Sequence, residues 1–139
     1  MTDCSFCRIV KKEIPVQIIY EDSDALAILD IHPRAPGHTM ILSKIHTETI
    51  LGYPEKQGGN LFNSIKKVTA IINEALKPDG FTIGINHGKS AGQAIEHLHI
   101  HIIPRWNNDG GSSIHGVVDN RSNSNLEEIK NLILKVKQK

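Results

Sequence analysis

The stretch HLHIHIIPR, residues 97–105, places His97, His99 and His101 two residues apart with apolar residues between them. Alternation of this kind is strand periodicity, because successive side chains of a strand point to opposite faces. In a strand the three imidazoles line one face and Leu98, Ile100 and Ile102 line the other. Same-face neighbours then stand roughly 6.5–7 Å apart at about 3.3 Å rise per residue. Pro104 cannot donate to the ladder and is expected to end the strand. Such a row has three uses: a polar sheet face that happens to employ histidine, a metal site, or imidazole catalysis. Three neutral imidazoles and a water make a catalytic zinc pattern, although a straight strand splays the rings. As a nucleophile, imidazole attacks phosphorus and divides one hard step into two. A neighbouring imidazolium would hold phosphate oxygens and stabilise the charge that develops.

Other groups are less specific taken one at a time. GKSAGQ (88–93) directly precedes the histidines and is either an ordinary hairpin loop or a nest of backbone N–H groups for phosphate. Cys4 and Cys7 form a CxxC, compatible with a redox pair, half of a zinc site or coincidence. No strand precedes it, as a thioredoxin-like βαβ unit would need, and a zinc site needs two further ligands, for which His46 and one triad histidine are available. Asp30 closes an apolar strand and reads either as a turn carboxylate or as a ribose ligand. Taken singly, His32, His38, His87 and His115 read as surface or hydrogen-bonded structural histidines. Trp106 covers a strand end or touches substrate or a partner chain.

The elements that position these groups follow from periodicity and punctuation. QIIYED (17–22) and ALAILD (25–30) read as strands joined by a tight turn at Asp22–Asp24, HTMILSK (38–44) as a third, and FTIGIN (81–86) and 95–103 as two more. Leu61, Phe62, Ile65, Val68, Ile72 and Leu76 fall on one face of a helix over 55–77, stopped by Pro78 and Gly80. Residues 107–124 form a glycine- and asparagine-rich loop, and 125–139 an amphipathic C-terminal helix. The expected fold is α+β, an antiparallel sheet with one long helix, in a single domain spanning 1–139 with its core in 1–106. With 139 residues and net charge +1 there is no basic block for long nucleic acid, no membrane-spanning run and no signal-peptide pattern, so a soluble, intracellular protein is expected.

CSFCRIVKKEIP, ALAILDIHPRAPGHTMILSKIH, NHGKSAGQ and HLHIHIIPR together resemble the histidine-triad (HIT) superfamily, in its order and over roughly residues 4–106. The resemblance implies a HIT-like fold that pairs into a cytoplasmic homodimer through the long helix and a sheet strand. It implies hydrolysis or nucleotidyl transfer at the α-phosphate of a purine nucleotide through a nucleotidyl-histidine. By position His99 is the implied nucleophile, and His101 the group that contacts phosphate and helps the leaving group depart. Asp30 is the implied ribose ligand, and Phe6, Ile9, Ile28 and Ile31 the base pocket. Asn86, Gly92, Gln93 and Ala94 line the phosphate side, and His38 supports the charge network. The implied cofactor is structural Zn²⁺ on Cys4, Cys7, His46 and His97. Ala94 departs from the family pattern, where Ser or Thr often donates to phosphate, at a cost of roughly 1–3 kcal/mol if nothing replaces that bond. The 107–139 extension also departs from the phosphoramidase branch. The implied reading is an adenosine phosphoramidate or AMP–X hydrolase. Its alternatives are a dinucleoside polyphosphate hydrolase, a nucleotide-binding module with little turnover, and a redox or metal-handling protein.

Overall fold

The computed structural model describes residues 3–136. Five antiparallel strands form one sheet: β1 (Ile18–Glu21), β2 (Ala25–Leu29), β3 (Thr39–Ser43), β4 (Gly80–Gly84) and β5 (His99–Arg105), in the spatial order β1-β2-β3-β5-β4. Three helices accompany them: α1 (Ser5–Val10), α2 (Glu55–Leu76) and α3 (Leu126–Leu134). The expected α+β architecture is the one the chain adopts. Residues 137–139 of the expected C-terminal helix lie outside the described residues.

Alternation along the strands divides the core in two. Ala25, Ala27, Ile41, Ile100 and Ile102 face Leu61, Val68 and Ile72 of α2. Leu26, Ile28 and Leu42 face the other way, against Phe6 and Ile9 of α1. A six-residue helix has little stability alone, so this burial is what holds α1 in place. The β1–β2 turn is fixed by Asp22, which accepts from the N–H groups of Asp24 and Ala25 and from the hydroxyls of Tyr20 and Ser64. Because Ser64 lies on α2, that carboxylate also ties the turn to the helix.

Four sequence expectations change. First, β5 starts at His99, not at residue 95, so His97 precedes the strand and leaves the row of rings. Second, β5 runs through Pro104 to Arg105. Its pairing with β3 stops at Ile102, and beyond that β5 has a single neighbour, β4, where a residue without an N–H is tolerated. Third, α2 ends at Leu76, with Lys77 left-handed just before Pro78 as expected, but Gly80 opens β4 instead of closing the helix. Phe62, expected on the buried stripe, is 68% exposed. Gly37, at φ +82°, lets β3 begin in the crowded corner between α2 and β5. A Cβ there would come to 2.4 Å from Leu76 Cδ1 and 3.3 Å from Pro104 Cγ.

Candidate functional site

His99 and His101 project from the α1 face of β5, opposite Leu42 and Met40 of β3. The expectation that Ile100 and Ile102 take the other face holds. Hydrogen-bond direction then fixes the protons on these rings, because a carbonyl oxygen can only accept and a backbone N–H can only donate. His99 Nδ1 lies 2.7 Å from the His97 carbonyl oxygen, so Nδ1 carries the proton and Nε2 of the neutral ring is a bare lone pair. The N–H of Arg34 donates to His38 Nδ1 at 3.1 Å, so the neutral His38 ring carries its proton on Nε2. That proton is donated to His101 Nδ1 at 2.9 Å, which leaves the His101 proton on Nε2. One ring therefore presents an electron pair and its neighbour an N–H, with ring centroids 5.2 Å apart. Phe6 meets the His99 ring edge-on at 5.0 Å and restrains its plane.

Burial works against charge on the His38–His101 pair. Burial pushes the pKa values of His38 and His101 below the ordinary histidine value. The charge of Arg34 adds to the fall at His38, and the repulsion that a proton on His99 or His38 would exert adds to it at His101. Asp30 acts in the opposite direction, its Oδ2 lying 3.4 Å from His38 Nε2. Placing a third proton on the His38–His101 pair would aim an N–H at the N–H of Arg34. Asp30, His38 and His101 lie close enough to hold a cation, but their donor atoms already satisfy one another.

His97 is turned into a second cluster. Its Nε2–H donates to the Ser43 carbonyl at 2.7 Å, which leaves Nδ1 bare. That nitrogen is 3.3 Å from Cys4 Sγ, 3.6 Å from Cys7 Sγ and 3.2 Å from His46 Nδ1, and Cys7 Sγ is 3.1 Å from His46 Nδ1. Ligands of a tetrahedral ion at about 2.0–2.3 Å stand roughly 3.3–3.8 Å apart, so four atoms so arranged fit one cation. The ring orientation is set by a backbone carbonyl, as is usual for metal-binding histidine. Burial pushes the Cys7 thiol up, and its contact with Cys4 adds to this. A cation would reverse that preference.

The remaining predicted residues fall into place unequally. Phe6, Ile9 and Ile28 gather in one apolar cluster beside His99, whereas Ile31 is 78% exposed and stands apart from it. Asp30 Oδ1 accepts from the N–H of His32. The Gln93 side chain is occupied within its own loop: Oε1 accepts from the Gly88 N–H, and Nε2 donates to the carbonyls of Glu48 and Ile95. The N–H groups of Gly88, Ala91, Gly92 and Gln93 are also used inside the loop. Of the expected nest, the N–H groups of Lys89 and Ser90 remain without an acceptor among the described residues, as does that of Ala94 just beyond it. Asn86, exposed, sits against Gly92. Sequence reasoning missed the backbone N–H of Arg34 and the carbonyl of Ser43, which fix the His38 and His97 protons. No side-chain pattern signals a backbone group.

The site is a pair of imidazoles of opposite proton placement on a five-stranded antiparallel sheet, next to a Cys₂His₂ cluster. The HIT domain matches residues 11–108. An uncharacterised HIT-like protein of Methanocaldococcus jannaschii is 41% identical over 91% of this chain and 98% of its own length. A crystal structure of a HIT family member from Bacillus subtilis superposes with a TM-score of 0.86 at 30% identity, covering 99% of each chain. The Arabidopsis thaliana protein named adenylylsulfatase HINT3 is 38% identical over 77% of this chain and 54% of its own. The chain belongs to the HIT domain family.

Proposed function

We propose that the protein is a nucleotide hydrolase acting at the α-phosphate of a purine nucleotide, an adenosine phosphoramidate or another AMP–X compound, through a nucleotidyl intermediate on His99. The observation that carries this is the proton placement: His99 Nδ1–H is held by the His97 carbonyl, so Nε2 offers its lone pair. In the first step a bond forms from His99 Nε2 to phosphorus and the P–X bond breaks. X leaves with the bonding pair and takes a proton from water held near the His101 Nε2–H. In the second step a water oxygen bonds to phosphorus, the P–N bond returns its pair to Nε2, and one proton goes back to solvent. The sum is AMP–X + H₂O → AMP + HX. His101 supplies a neutral hydrogen bond to the phosphoryl or leaving oxygen or nitrogen.

Asp30 takes ribose hydroxyls with its remaining lone pairs. Phe6, Ile9 and Ile28 hold the base. Asn86 and the N–H of Ala94 take phosphate oxygens, and Gln93 and Gly92 shape the loop that presents them. The adenylylsulfatase name of the Arabidopsis relative supports the hydrolase class. Cys4, Cys7, His46 and His97 would hold Zn²⁺, whose closed S₂N₂ shell ties α1 to the start of β5 and supplies no open position for chemistry. Two unpaired cysteines fit a reducing compartment, the cytoplasm. Phe62, a large apolar side chain exposed on α2, supports pairing of two copies as a homodimer.

Release of a fluorogenic amine from an AMP phosphoramidate tests the assignment. Wild type should release it, and mass spectrometry of quenched protein should find AMP on His99. Absence of release, or undiminished release by His99→Ala, defeats the proposal. Ala94 favours a second reading, a nucleotide-binding module with little turnover. Tight AMP binding without a nucleotidyl-enzyme would establish that reading. Faster cleavage of diadenosine polyphosphates than of phosphoramidates would move the substrate class to the dinucleotides.

A further inference from the structure

Cys4 and Cys7 are the two cysteines of the chain, so a single intramolecular disulfide is open to it. Cys4 caps α1, Cys7 is the third residue of that helix, and the Cys7 N–H donates to Cys4 Sγ at 3.4 Å. Side chains at these two helix positions reach toward each other, and the two sulfurs lie within 4.8 Å. A Cys-x-x-Cys at the start of a helix is also the spacing that disulfide oxidoreductases use. Both thiols are half-buried, so a small oxidant reaches them, whereas their neighbour His97 is enclosed.

The same two residues bracket a side chain of the nucleotide site. Phe6, between them in sequence, meets the His99 ring edge-on at 5.0 Å and the His97 ring at 5.9 Å. Phe6 and Ile9 are the buried residues of a helix only six residues long. The start of β5 is fastened by other means. The His97 Nε2–H donates to the Ser43 carbonyl, the Leu98 N–H donates to the Thr47 carbonyl at 2.7 Å, and the Ser43 N–H donates to the Leu98 carbonyl at 3.2 Å. These bonds keep the His97 carbonyl against His99 Nδ1 without help from the cysteines.

We infer that Cys4 and Cys7 form a peroxide-sensitive switch, in which oxidation to a disulfide gives up the ion they hold with His46 and His97 and loosens Phe6 over the nucleotide site. The inference rests on the zinc and base-pocket readings proposed above. One thiolate attacks an oxygen of hydrogen peroxide, the O–O bond breaks, and a sulfenic acid and a hydroxide result. The second thiolate attacks that sulfur, the S–S bond forms, and the S–O bond breaks with its pair to give a second hydroxide. Solvent protons turn both hydroxides into water. Each sulfur gives up one electron and the peroxide takes both. His46 and His97 alone make only half of a tetrahedral shell, so the ion is lost. α1 then keeps only the burial of Phe6 and Ile9, and a helix this short has little stability of its own. Base binding weakens, while His99 keeps its proton placement and its reaction.

The test treats the zinc-loaded full-length protein with hydrogen peroxide. It follows zinc release with a chromophoric chelator, free thiols, the Cys4–Cys7 crosslink by peptide mass spectrometry, the Kd of AMP and the kinetics on an AMP phosphoramidate. Zinc should leave in step with both thiols as the crosslink appears. The Kd of AMP and the KM should rise about two- to tenfold, the range of one aromatic pair, while kcat holds. Dithiothreitol with zinc sulfate should restore every reading. By reciprocity, saturating AMP should tighten zinc by the same factor in chelator competition on the reduced protein. Phe6→Leu should keep the zinc and thiol response and lose most of the shift in Kd. Zinc retained after both thiols are gone, sulfinic acids in place of the crosslink, or an unmoved Kd for AMP overturns the inference. A Phe6→Leu protein whose Kd shifts as far as wild type overturns it too, as does a purified protein that takes up no zinc, and each leaves the His99 reading standing. If no amine is released from the phosphoramidate, the His99 chemistry falls, and zinc, crosslink and AMP affinity still decide the switch. Absence of AMP binding in either state overturns both.

Discussion

His38 never reaches phosphorus in the proposed reaction, yet the geometry makes it decide what His101 can do. Its buried Nε2–H donates to His101 Nδ1 at 2.9 Å, and this contact keeps the His101 proton on Nε2. His38→Ala removes the donor, leaves a buried acceptor unsatisfied and frees His101 to carry its proton on either nitrogen. A buried group left unpaired costs about 1–3 kcal/mol. At 1.36 kcal/mol per tenfold, kcat/KM should fall by about 5- to 150-fold. His38→Gln retains a donor near the Nε2 position and gives up only the contact to the Arg34 N–H, so it should stay within about tenfold of wild type. The pH profile adds a second readout. Burial holds His101 below its ordinary value, and the repulsion that a proton on His38 would exert adds to this. In His38→Ala, Nδ1 becomes an open site for a proton, so the acid limb of kcat/KM should move up toward the unperturbed value of about 6.5. Long-range ¹H–¹⁵N spectra report the tautomer directly and should show the His101 proton on Nε2 in wild type. A His38→Ala enzyme with wild-type kcat/KM and an unmoved acid limb, or a wild-type spectrum with the proton on Nδ1, would refute the relay from Arg34 through His38.

Three further outcomes follow from the same contacts. The purified protein should contain one zinc per chain by plasma emission analysis, and Cys4→Ser should lose it with a drop in Tm while a stable variant retains hydrolysis. Metal-free protein of full thermal stability would count against a structural ion. His38 and His101 both sit below the ordinary histidine value, chiefly through burial. Below about pH 6.5 the unfolded chain therefore binds more protons than the folded one, and unfolding free energy should be lost as pH falls through the depressed folded values. Urea titrations at several pH values check this, and stability that rises on acidification would contradict it. Ile100→Ala, at a fully enclosed position facing α2, should cost about 2–5 kcal/mol by chemical denaturation. A cost under 1 kcal/mol would show that this layer is loosely packed.

The amino-acid order alone determined the strand periodicity that sends Ile100 and Ile102 one way and His99 and His101 the other, because that division depends only on a two-residue repeat. It also determined the long helix, the Asp22 turn and the order of motifs, all of which are local in the chain. It misread His97, Pro104 and Phe62, whose surroundings come from distant segments. His97 leaves the row because Ser43, His46 and the CxxC, 51 to 93 residues away, offer its ring a closer set of partners. Pro104 is tolerated because β3 happens to stop two residues earlier. The proton positions on His99 and His101 belong wholly to the tertiary structure. They are set by one carbonyl and one N–H of the backbone, groups that every residue carries and that only folding aims at a particular ring.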